Sequence, residues 1–317
     1  PRLERLKIRG RFASFLELQY VPCLRHLSAV FLVCCSGLED VHVTSILCFM
    51  SELRTLEINS CEGITDYAFN DLYEQRLRMD LGEIAGRGHL SENLQALSLC
   101  NCGGITGQSI KYAVMALSSF SLGSIKFSKN GKVQAEAVQL AARRLKSLFL
   151  RGSSSITSLN LTACQDIQEL SIHDAGQLKD VRIQAPMLST VSITQCQVLG
   201  SVHLDAPEQT SISLSGCRRL DALELNSSKL QTVNLYQCMS LGEAPVQGIL
   251  TAASSSITEV ILDGLEISRL HLSSSSLSKL SLKGCKTIGT LHLLRARLFR
   301  ELDVRGCPQL STVNVDA

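Results

Sequence analysis

The residues with the most evident capacity for chemistry in this 317-residue sequence are its 13 cysteines. Thiols can form disulfides, bind zinc, or act as nucleophiles when their pKa is low. The local pairs Cys34-Cys35 and Cys100-Asn101-Cys102 lack the second pair of ligands that a zinc site requires. We therefore expect no metal and no cofactor, and read these cysteines as core residues.

Other reactive side chains form no catalytic motif in the sequence. It contains no G-x-G-x-x-G before a helix, no P-loop, no H-E-x-x-H and no G-x-S-x-G. His203, His271 and His292 each fall in the middle of a short strand pattern, which places them on an outer face rather than in a pocket. We expect no catalytic residue, and a protein that is not an enzyme.

Composition narrows the functional classes further. The chain carries 31 basic and 29 acidic residues, so its net charge of +2 gives no long-range attraction to nucleic acid or to an anionic membrane. The most apolar run, from Ala29 to Cys35, is far shorter than the roughly 20 residues that cross a bilayer. A hydrophobic fraction of 45% indicates a folded chain. Aromatic residues make up only 4%, which argues against a core built from large rings and against base stacking on aromatic side chains.

A repeat positions these residues: L-x-x-L-x-L-x-x-C, with Ile or Val allowed at each Leu, as in Leu53, Leu56, Ile58 and Cys61. The first inward apolar residues of its strands are predicted at Leu6, Leu27, Leu56, Leu97, Ile125, Leu148, Leu170, Val191, Ile212, Val233, Val260, Leu280 and Leu302. A second set of strands is predicted at Leu16, Val41, Leu159, Val181, Val202, Leu223, Leu270, Leu291 and Val313.

This spacing predicts an α/β leucine-rich-repeat solenoid of about thirteen coils with a parallel sheet, as a single domain over residues 1–317. Helices are expected on the convex side in the N-terminal half, and second short strands in the C-terminal half. The helices are predicted after Thr65-Asp66, after Thr106, over 132–144 and over 242–253. Residues 72–90 are read as a longer loop or helix on the convex side, with a specific binding contact as the alternative because loops of this length are often functional.

Eight of the cysteines occupy one repeat position, three residues after the second inward apolar residue. We expect them to be buried free thiols at the turn that leaves the strand. A disulfide between stacked neighbours is the alternative, because adjacent coils lie within disulfide range, although a ladder of three cannot pair completely. These eight are Cys61, Cys102, Cys164, Cys196, Cys217, Cys238, Cys285 and Cys307.

The stretch Leu53 to Asp66, which reads L-R-T-L-E-I-N-S-C-E-G-I-T-D, resembles the cysteine-containing repeats of F-box proteins. Cys307-Pro308-Gln309-Leu310 matches their C-P-x-L motif, and Ala185-Pro186 and Ala206-Pro207 are similar to turns of plant F-box/leucine-rich-repeat proteins. The resemblance covers nearly the whole chain. It implies the substrate-recognition part of an SCF-type ubiquitin ligase, with Skp1 and cullin bound only through an F-box that this sequence lacks.

Binding is expected on the first set of strands, taken as the concave sheet, through residues that point away from the core. The second coil should contribute Ser28 and Val30 to these outward rows. The candidate protein-binding residues are the bulky or charged members of the rows: Phe149, Arg151, His173, Tyr236, Ile261, Asp263, Lys283 and Arg305.

The sequence thus predicts a non-catalytic protein-interaction module, with a structural scaffold subunit of a large assembly as the alternative. We expect a protein partner, no nucleic acid and no membrane. Both ends fall within the repeat pattern without a polar cap, so a fragment of a longer protein is expected. The thiol content favours a reducing compartment, the cytoplasm or the nucleus.

Overall fold

The computed structural model describes residues 3–11, 24, 26–80, 93–117, 124–128, 136–140, 144–153, 156–162 and 164–316. The chain divides into two compact units, residues 1–167 and 168–317. Each unit is a stack of leucine-rich-repeat coils with parallel strands, which confirms the predicted α/β fold class.

In its described residues the first unit contains eight strands and three helices. They are β1 (Arg5–Arg11), β2 (Ala29–Ser36), α1 (Asp40–Phe49), β3 (Thr55–Asn59), α2 (Tyr67–Asp80), β4 (Ala96–Cys100), α3 (Gly107–Leu117), β5 (Ser124–Ser128), β6 (Glu136–Gln139), β7 (Ser147–Arg151) and β8 (Ile156–Leu161). Its first sheet has the order β1-β2-β3-β4-β5-β7, and β6 pairs with β8 in a second sheet.

Over residues 168–316, the second unit contains thirteen strands and one helix. They are β9 (Glu169–His173), β10 (Asp180–Gln184), β11 (Thr190–Thr194), β12 (Ser201–Asp205), β13 (Ser211–Ser213), β14 (Ala222–Asn226), β15 (Thr232–Asn234), α4 (Glu243–Ala252), β16 (Glu259–Ile261), β17 (Arg269–Ser273), β18 (Lys279–Ser281), β19 (Thr290–Leu294), β20 (Glu301–Asp303) and β21 (Thr312–Val315). Its first sheet runs β9-β11-β13-β15-β16-β18-β20, opposite the second-sheet strands β14-β12-β10 and β17-β19-β21.

Strand alternation builds the core of both units. Because residues i and i+2 of a strand share a face, each coil points two apolar side chains inward. Leu56 and Ile58 are fully buried in the first unit, as are Val191 and Ile193 in the second. Register keeps equivalent residues abreast, for example Leu56 beside Leu97 and Val191 beside Ile212. Rows of stacked aliphatic side chains therefore form the interior, and few large rings are needed.

A left-handed residue ends many of the first-sheet strands. The backbone φ is +55° at Ser60, +58° at Gln195 and +56° at Gln237, and glycine holds the same position at Gly216 and Gly284. This conformation turns the chain inward immediately before the repeat cysteine. Glycine suits it because side chains with a Cβ are strained there.

None of the twelve described cysteines forms a disulfide, and ten of them are buried. This confirms buried thiols at seven of the eight repeat positions, whereas Cys307 is half-buried. The reading of Cys34 as a core residue was wrong: it is exposed, because it holds the left-handed position, with a φ of +51°, immediately before Cys35.

A repeated contact joins the repeat cysteines, which we call the cysteine ladder, to the coil before each of them. The thiol donates to the carbonyl oxygen of the second inward residue of that earlier coil. Cys61 donates in this way to Leu32, Cys217 to Ile193 and Cys285 to Leu262. The thiol thus fills a small apolar space and satisfies a carbonyl at the strand end.

Two predictions about the ladder are corrected by the structure. Cys164 follows β8 and bonds to Leu140 after β6, so it belongs to the second sheet and not to the row of the other seven cysteines. Cys35 belongs to the row although it was not predicted there: its thiol donates to Ile8, and its own N–H donates to the sulfur of Cys61.

Register explains why Cys35 was missed. Leu27 was predicted as the first inward residue of the second coil, but Leu6 pairs with Val30, and Val30 with Leu56. Leu27 is buried too, yet it precedes the strand by the same three-residue spacing that separates Leu53 from Leu56. The prediction of Ser28 and Val30 on the outward rows was therefore wrong.

Helix predictions had mixed outcomes. Those after Thr65-Asp66, after Thr106 and over 242–253 are confirmed by α2, α3 and α4. A strand at Val41 was wrong, because Val41 lies in α1, where the buried residues recur at helical spacing. A helix over 132–144 was also wrong where the structure describes it.

Residues 136–139 form β6 because Val138 joins the second sheet beside Leu159, so sheet pairing overrides the helical spacing. Residues 131–135 and 141–143, and the predicted strand at Leu16, lie outside the described residues. Of the segment 72–90, residues 72–80 are helical in α2 and the remainder lies outside the described residues.

Candidate binding surface

The face of each first sheet that points away from the core carries the sequence-predicted candidate residues. We call the side chains on this face the outward rows. The helices lie on the other side of the coils, with α3 against β6 and α4 against β14 and β17. Most outward residues that the structure describes are accordingly exposed or half-buried.

In the first unit, β7 places Phe149 and Arg151 on the outward rows. Phe149 is half-buried and Arg151 is exposed, while the intervening Leu148 and Leu150 point inward. At the other end of this sheet, Phe31 and Val33 of β2 are half-buried on the same face. The corrected register brings them there in place of Ser28 and Val30, so the face has more apolar area than expected.

Hydroxyl groups dominate the outward rows of the second unit from β9 to β15. His173 contacts Thr194 with 2.9 Å between Nδ1 and Oγ1, and Thr232 donates to the hydroxyl of Ser211 at 2.7 Å. Tyr236 follows β15 and is 39% exposed, and the side chain of Asn234 accepts its backbone N–H. Apart from Glu169 of β9, the outward residues of this stretch include no carboxylate, lysine or arginine. Tyr236 is the one large ring at its edge.

The outward residues that follow this stretch are Ile261, Asp263 and Lys283. Ile261 is half-buried between Asn234 and Ser281 in the strand register. The carboxylate of Asp263 accepts the Ser281 hydroxyl at 2.5 Å and the Lys283 backbone N–H at 2.9 Å. Asp263 is therefore fixed to the following coil, while the Lys283 side chain is exposed.

Ion pairs occupy the last two coils of this face. Arg305 donates to Asp303 through two nitrogens, at 2.9 Å and 2.5 Å, and this contact lowers the pKa of the Asp303 carboxyl to about 2. Lys279 lies 3.3 Å from Glu259 and 3.9 Å from Glu301, and the hydrogen bond to Glu259 raises its pKa. These charges are largely compensated within the chain.

The structure brings some of the predicted residues together and separates others. Ile261, Asp263, Lys283 and Arg305 lie on the neighbouring strands β16, β18 and β20 or directly after them, with Tyr236 one strand away. His173 is three strands from β15, which corresponds to about 14 Å at the usual strand spacing. Phe149 and Arg151 belong to the other unit.

Sequence reasoning missed several members of these rows. Asp303 was not among the eight candidates although it pairs with Arg305, and Phe31 and Val33 were missed through the register error. The signal that would have found the latter two is the spacing of Val30, Leu32 and Cys35, which repeats that of Leu56, Ile58 and Cys61.

The second sheets hold His203, His271 and His292 at the centres of β12, β17 and β19, as predicted. His203 lies 3.4 Å from Glu224, and the rings of His271 and His292 stack with centroids 4.8 Å apart. No group of three or more potential metal ligands occurs among the described residues. None of the helices in the described part of the chain is long and apolar enough to span a membrane.

A surface pocket of about 370 Å³ lies at the N-terminal edge of the first strands, off the outward rows. His26 and Glu52 are joined across it, with 2.9 Å between Nδ1 and Oε1. Its lining mixes both charges and is formed by Glu4, His26, Ser28, Glu52, Arg54 and Asn93.

The sequence matches no protein-family model, and no curated protein matches it. Among solved structures, the chain is similar to one in the crystal structure of the LRIM1/APL1C complex, with 14% identity, 87% of this chain and 49% of that chain covered, and a TM-score of 0.42. A chain of the TLR13–ssRNA13 complex is 12% identical, with 98% of this chain and 61% of that chain covered and a TM-score of 0.38. A chain of the yeast Rad7 and Elc1 complex is 14% identical, with 87% of this chain and 84% of that chain covered and a TM-score of 0.25.

This chain spans about half the length of the first of these proteins and about three fifths of the second. The fold of the present chain is established by its own geometry: parallel strands in register, paired inward residues in each coil and a repeated turn. By these features each unit has the leucine-rich-repeat fold.

Proposed function

We propose that this chain is a non-catalytic protein-interaction module that binds a protein partner through its outward rows. The supporting observation is the presence of large apolar side chains on a sheet face that the helices do not cover. Phe149 and Ile261 are half-buried there, and Tyr236 is 39% exposed. Aromatic and arginine side chains on such faces are typical interface anchors.

The more specific proposal is the substrate-recognition part of a plant F-box protein in an SCF-type ubiquitin ligase. It rests on the resemblance of the cysteine-containing repeats, and Skp1 and cullin would be reached only through an F-box outside this sequence. We also propose a reducing compartment, the cytoplasm or the nucleus, because buried thiols on successive coils stay reduced in such a compartment.

Purification of the natural full-length protein with its partners tests both levels. Recovery of Skp1 together with a second protein supports the ligase role. A partner without Skp1 contradicts that role but leaves the interaction module in place. Incorporation into a large assembly that buries the outward rows on several sides would instead identify a scaffold subunit.

A further inference from the structure

Three exposed cations lie in one line on β1. Arg5, Lys7 and Arg9 are alternate residues of the strand, so all three side chains point to its outward face. None of them has a hydrogen bond or ion pair through its side chain within the described residues. Among the residues that the structure describes, their positive charge is therefore uncompensated, unlike that of Lys279 and Arg305 in the second unit.

An apolar row lies directly beside this cationic row. In the register of β1 and β2, Lys7 is abreast of Phe31 and Arg9 is abreast of Val33. Phe31 and Val33 are both half-buried, so part of each side chain is available for contact. The boundary between the two strands thus offers positive charge on one side and apolar surface on the other.

We propose that the β1/β2 boundary binds an extended, acidic segment of a protein partner in which acidic and apolar residues alternate. This rests on the proposed interaction function and names the chemistry of its partner. In an extended segment, successive side chains point to opposite sides. A segment lying edge-on over the boundary would direct its carboxylates to Arg5, Lys7 and Arg9 and its apolar side chains to Phe31 and Val33.

The spacing of alternate side chains is the same in β1 and in the proposed bound segment. Alternate residues of any extended chain are about 6.6–6.8 Å apart, both in β1 and in the bound segment, so three consecutive acidic side chains meet three cations without a change of register. Such complementarity sets both the specificity and the association rate of an interface.

A nucleic acid fits this surface less well than an acidic polypeptide. The carboxylate of Glu57 continues the row that begins with Lys7 and Phe31, and it would repel a phosphate backbone crossing the strands. The ring of Phe31 is half-buried and offers only part of its surface for base stacking.

Fluorescence anisotropy with the full chain tests the proposal. The probe is a labelled twelve-residue peptide of alternating Asp and Val. The comparison probes are a peptide with the same composition in two blocks, an alternating Lys and Val peptide, and a twelve-nucleotide oligothymidine. The variants are Arg5→Glu/Lys7→Glu/Arg9→Glu, the neutral Arg5→Gln/Lys7→Gln/Arg9→Gln and Phe31→Ser.

The matched control variant is Arg295→Glu/Arg297→Glu/Arg300→Glu, which reverses three exposed cations outside the outward rows. Circular dichroism verifies that each variant is folded, and the neutral variant replaces the reversed one if β1 does not tolerate three acidic residues. We expect the alternating acidic peptide to bind the parent chain. Its affinity for either β1 variant should be at least about tenfold lower, and its affinity for the control variant should equal that for the parent.

Phe31→Ser should also weaken peptide binding. Raising the salt concentration to 0.5 M should weaken binding to the parent chain and leave binding to the β1 variants unchanged. Equal binding by the parent and the β1 variants, no binding of the alternating peptide, or tighter binding of the block peptide or oligothymidine would overturn the inference. Cross-linking of the natural partner to outward-row positions is measured separately. If that succeeds while the peptide fails, only the inference is contradicted and the interaction module stands.

Discussion

The thiol of Cys238 donates a hydrogen bond to the carbonyl oxygen of Leu214, with 3.0 Å between sulfur and oxygen. Leu214 is the inward residue directly after β13, one coil earlier, and both residues are fully buried. The contact joins successive coils at the turn where the strand ladder stops. The repeat cysteines therefore act as structural connectors between coils.

Replacing Cys238 with alanine should destabilise the chain by about 1–2 kcal/mol, because it removes a buried sulfur and leaves the Leu214 carbonyl without this donor. Urea denaturation followed by circular dichroism measures the loss. The control is Cys34→Ser, which alters an exposed thiol and should change the free energy of unfolding by less than about 0.5 kcal/mol. Equal effects of the two substitutions would contradict a structural role for the ladder.

Thiol labelling should divide the cysteines by their place in the fold. We expect iodoacetamide at pH 8 to modify the exposed Cys34 readily and to leave Cys102, Cys238 and Cys285 unmodified in the native protein. Burial raises the pKa of Cys102 and Cys285 to about 11 and that of Cys238 to about 12, so these groups stay protonated as well as inaccessible. Peptide mass spectrometry reads the pattern. Rapid labelling of the three buried thiols in the native protein would contradict their burial.

Alkaline pH should weaken the contribution of Cys238. Because burial raises its folded-state pKa from 9.0 to about 12, the unfolded chain releases this proton first as the pH rises. The stabilising contribution is thus complete below pH 9 and is lost as the pH rises toward 12. Above pH 9 the loss is about 1.4 kcal/mol per pH unit, so an advantage of about 1–2 kcal/mol of the parent over Cys238→Ala should be gone by about pH 10.5.

Denaturation of both proteins from pH 8 to 11 measures this difference, in which the titration of lysines and tyrosines common to both cancels. An advantage that stays constant or grows with pH would show that the thiol is not protected in the folded state.

The left-handed turn predicts a contrast between two glycines. Gly284 has a φ of +74°, and no described atom lies within 4 Å of the place that a Cβ would occupy, so Gly284→Ala should cost about 1 kcal/mol through backbone strain alone. Gly176 has equally open space without a positive φ, and Gly176→Ala should be neutral or slightly stabilising. Thermal denaturation compares the two. Equal stabilities would argue against the conformation assigned to the repeat turn.

Asp66 connects two neighbouring coils of the first unit. Its carboxylate accepts the backbone N–H of Thr106 at 2.8 Å, the Thr106 hydroxyl at 2.5 Å and the Ser109 hydroxyl at the start of α3. Asp66→Ala should destabilise the chain by about 2–3 kcal/mol, because three donors lose a charged acceptor. Urea denaturation gives the value, with Asp71→Ala on the exposed side of α2 as the control. A change below that of the control would contradict the assigned contacts.

Much of the fold follows from local sequence rules, and its exceptions have physical causes. Alternation of inward residues identifies strands such as β3 and β11 because each must bury two side chains. The same rule misplaced the second coil, where both Leu27 and Val30 are buried and only strand pairing decides between them. Val138 shows the same limit, since pairing with Leu159 outweighs a helical spacing.

The binding rows were less accessible to sequence reasoning than the core. Alternation places Phe149 and Tyr236 outward, but it gives no information on which charges are compensated. The ion pair of Arg305 with Asp303 depends on side-chain conformation after the strand, and the uncompensated state of Arg5 depends on what lies beside β1. The binding roles of the eight candidate residues stay predictions.

Site-specific photo-cross-linking to the co-purifying partner tests the central claim most directly. A photoreactive residue is placed at Tyr236 on the outward rows, and a second one at Arg182, which is exposed on the second-sheet strand β10. The proposed interaction surface requires efficient cross-linking of the partner from position 236 and little or none from position 182. Cross-linking from position 182 with none from position 236 would contradict it.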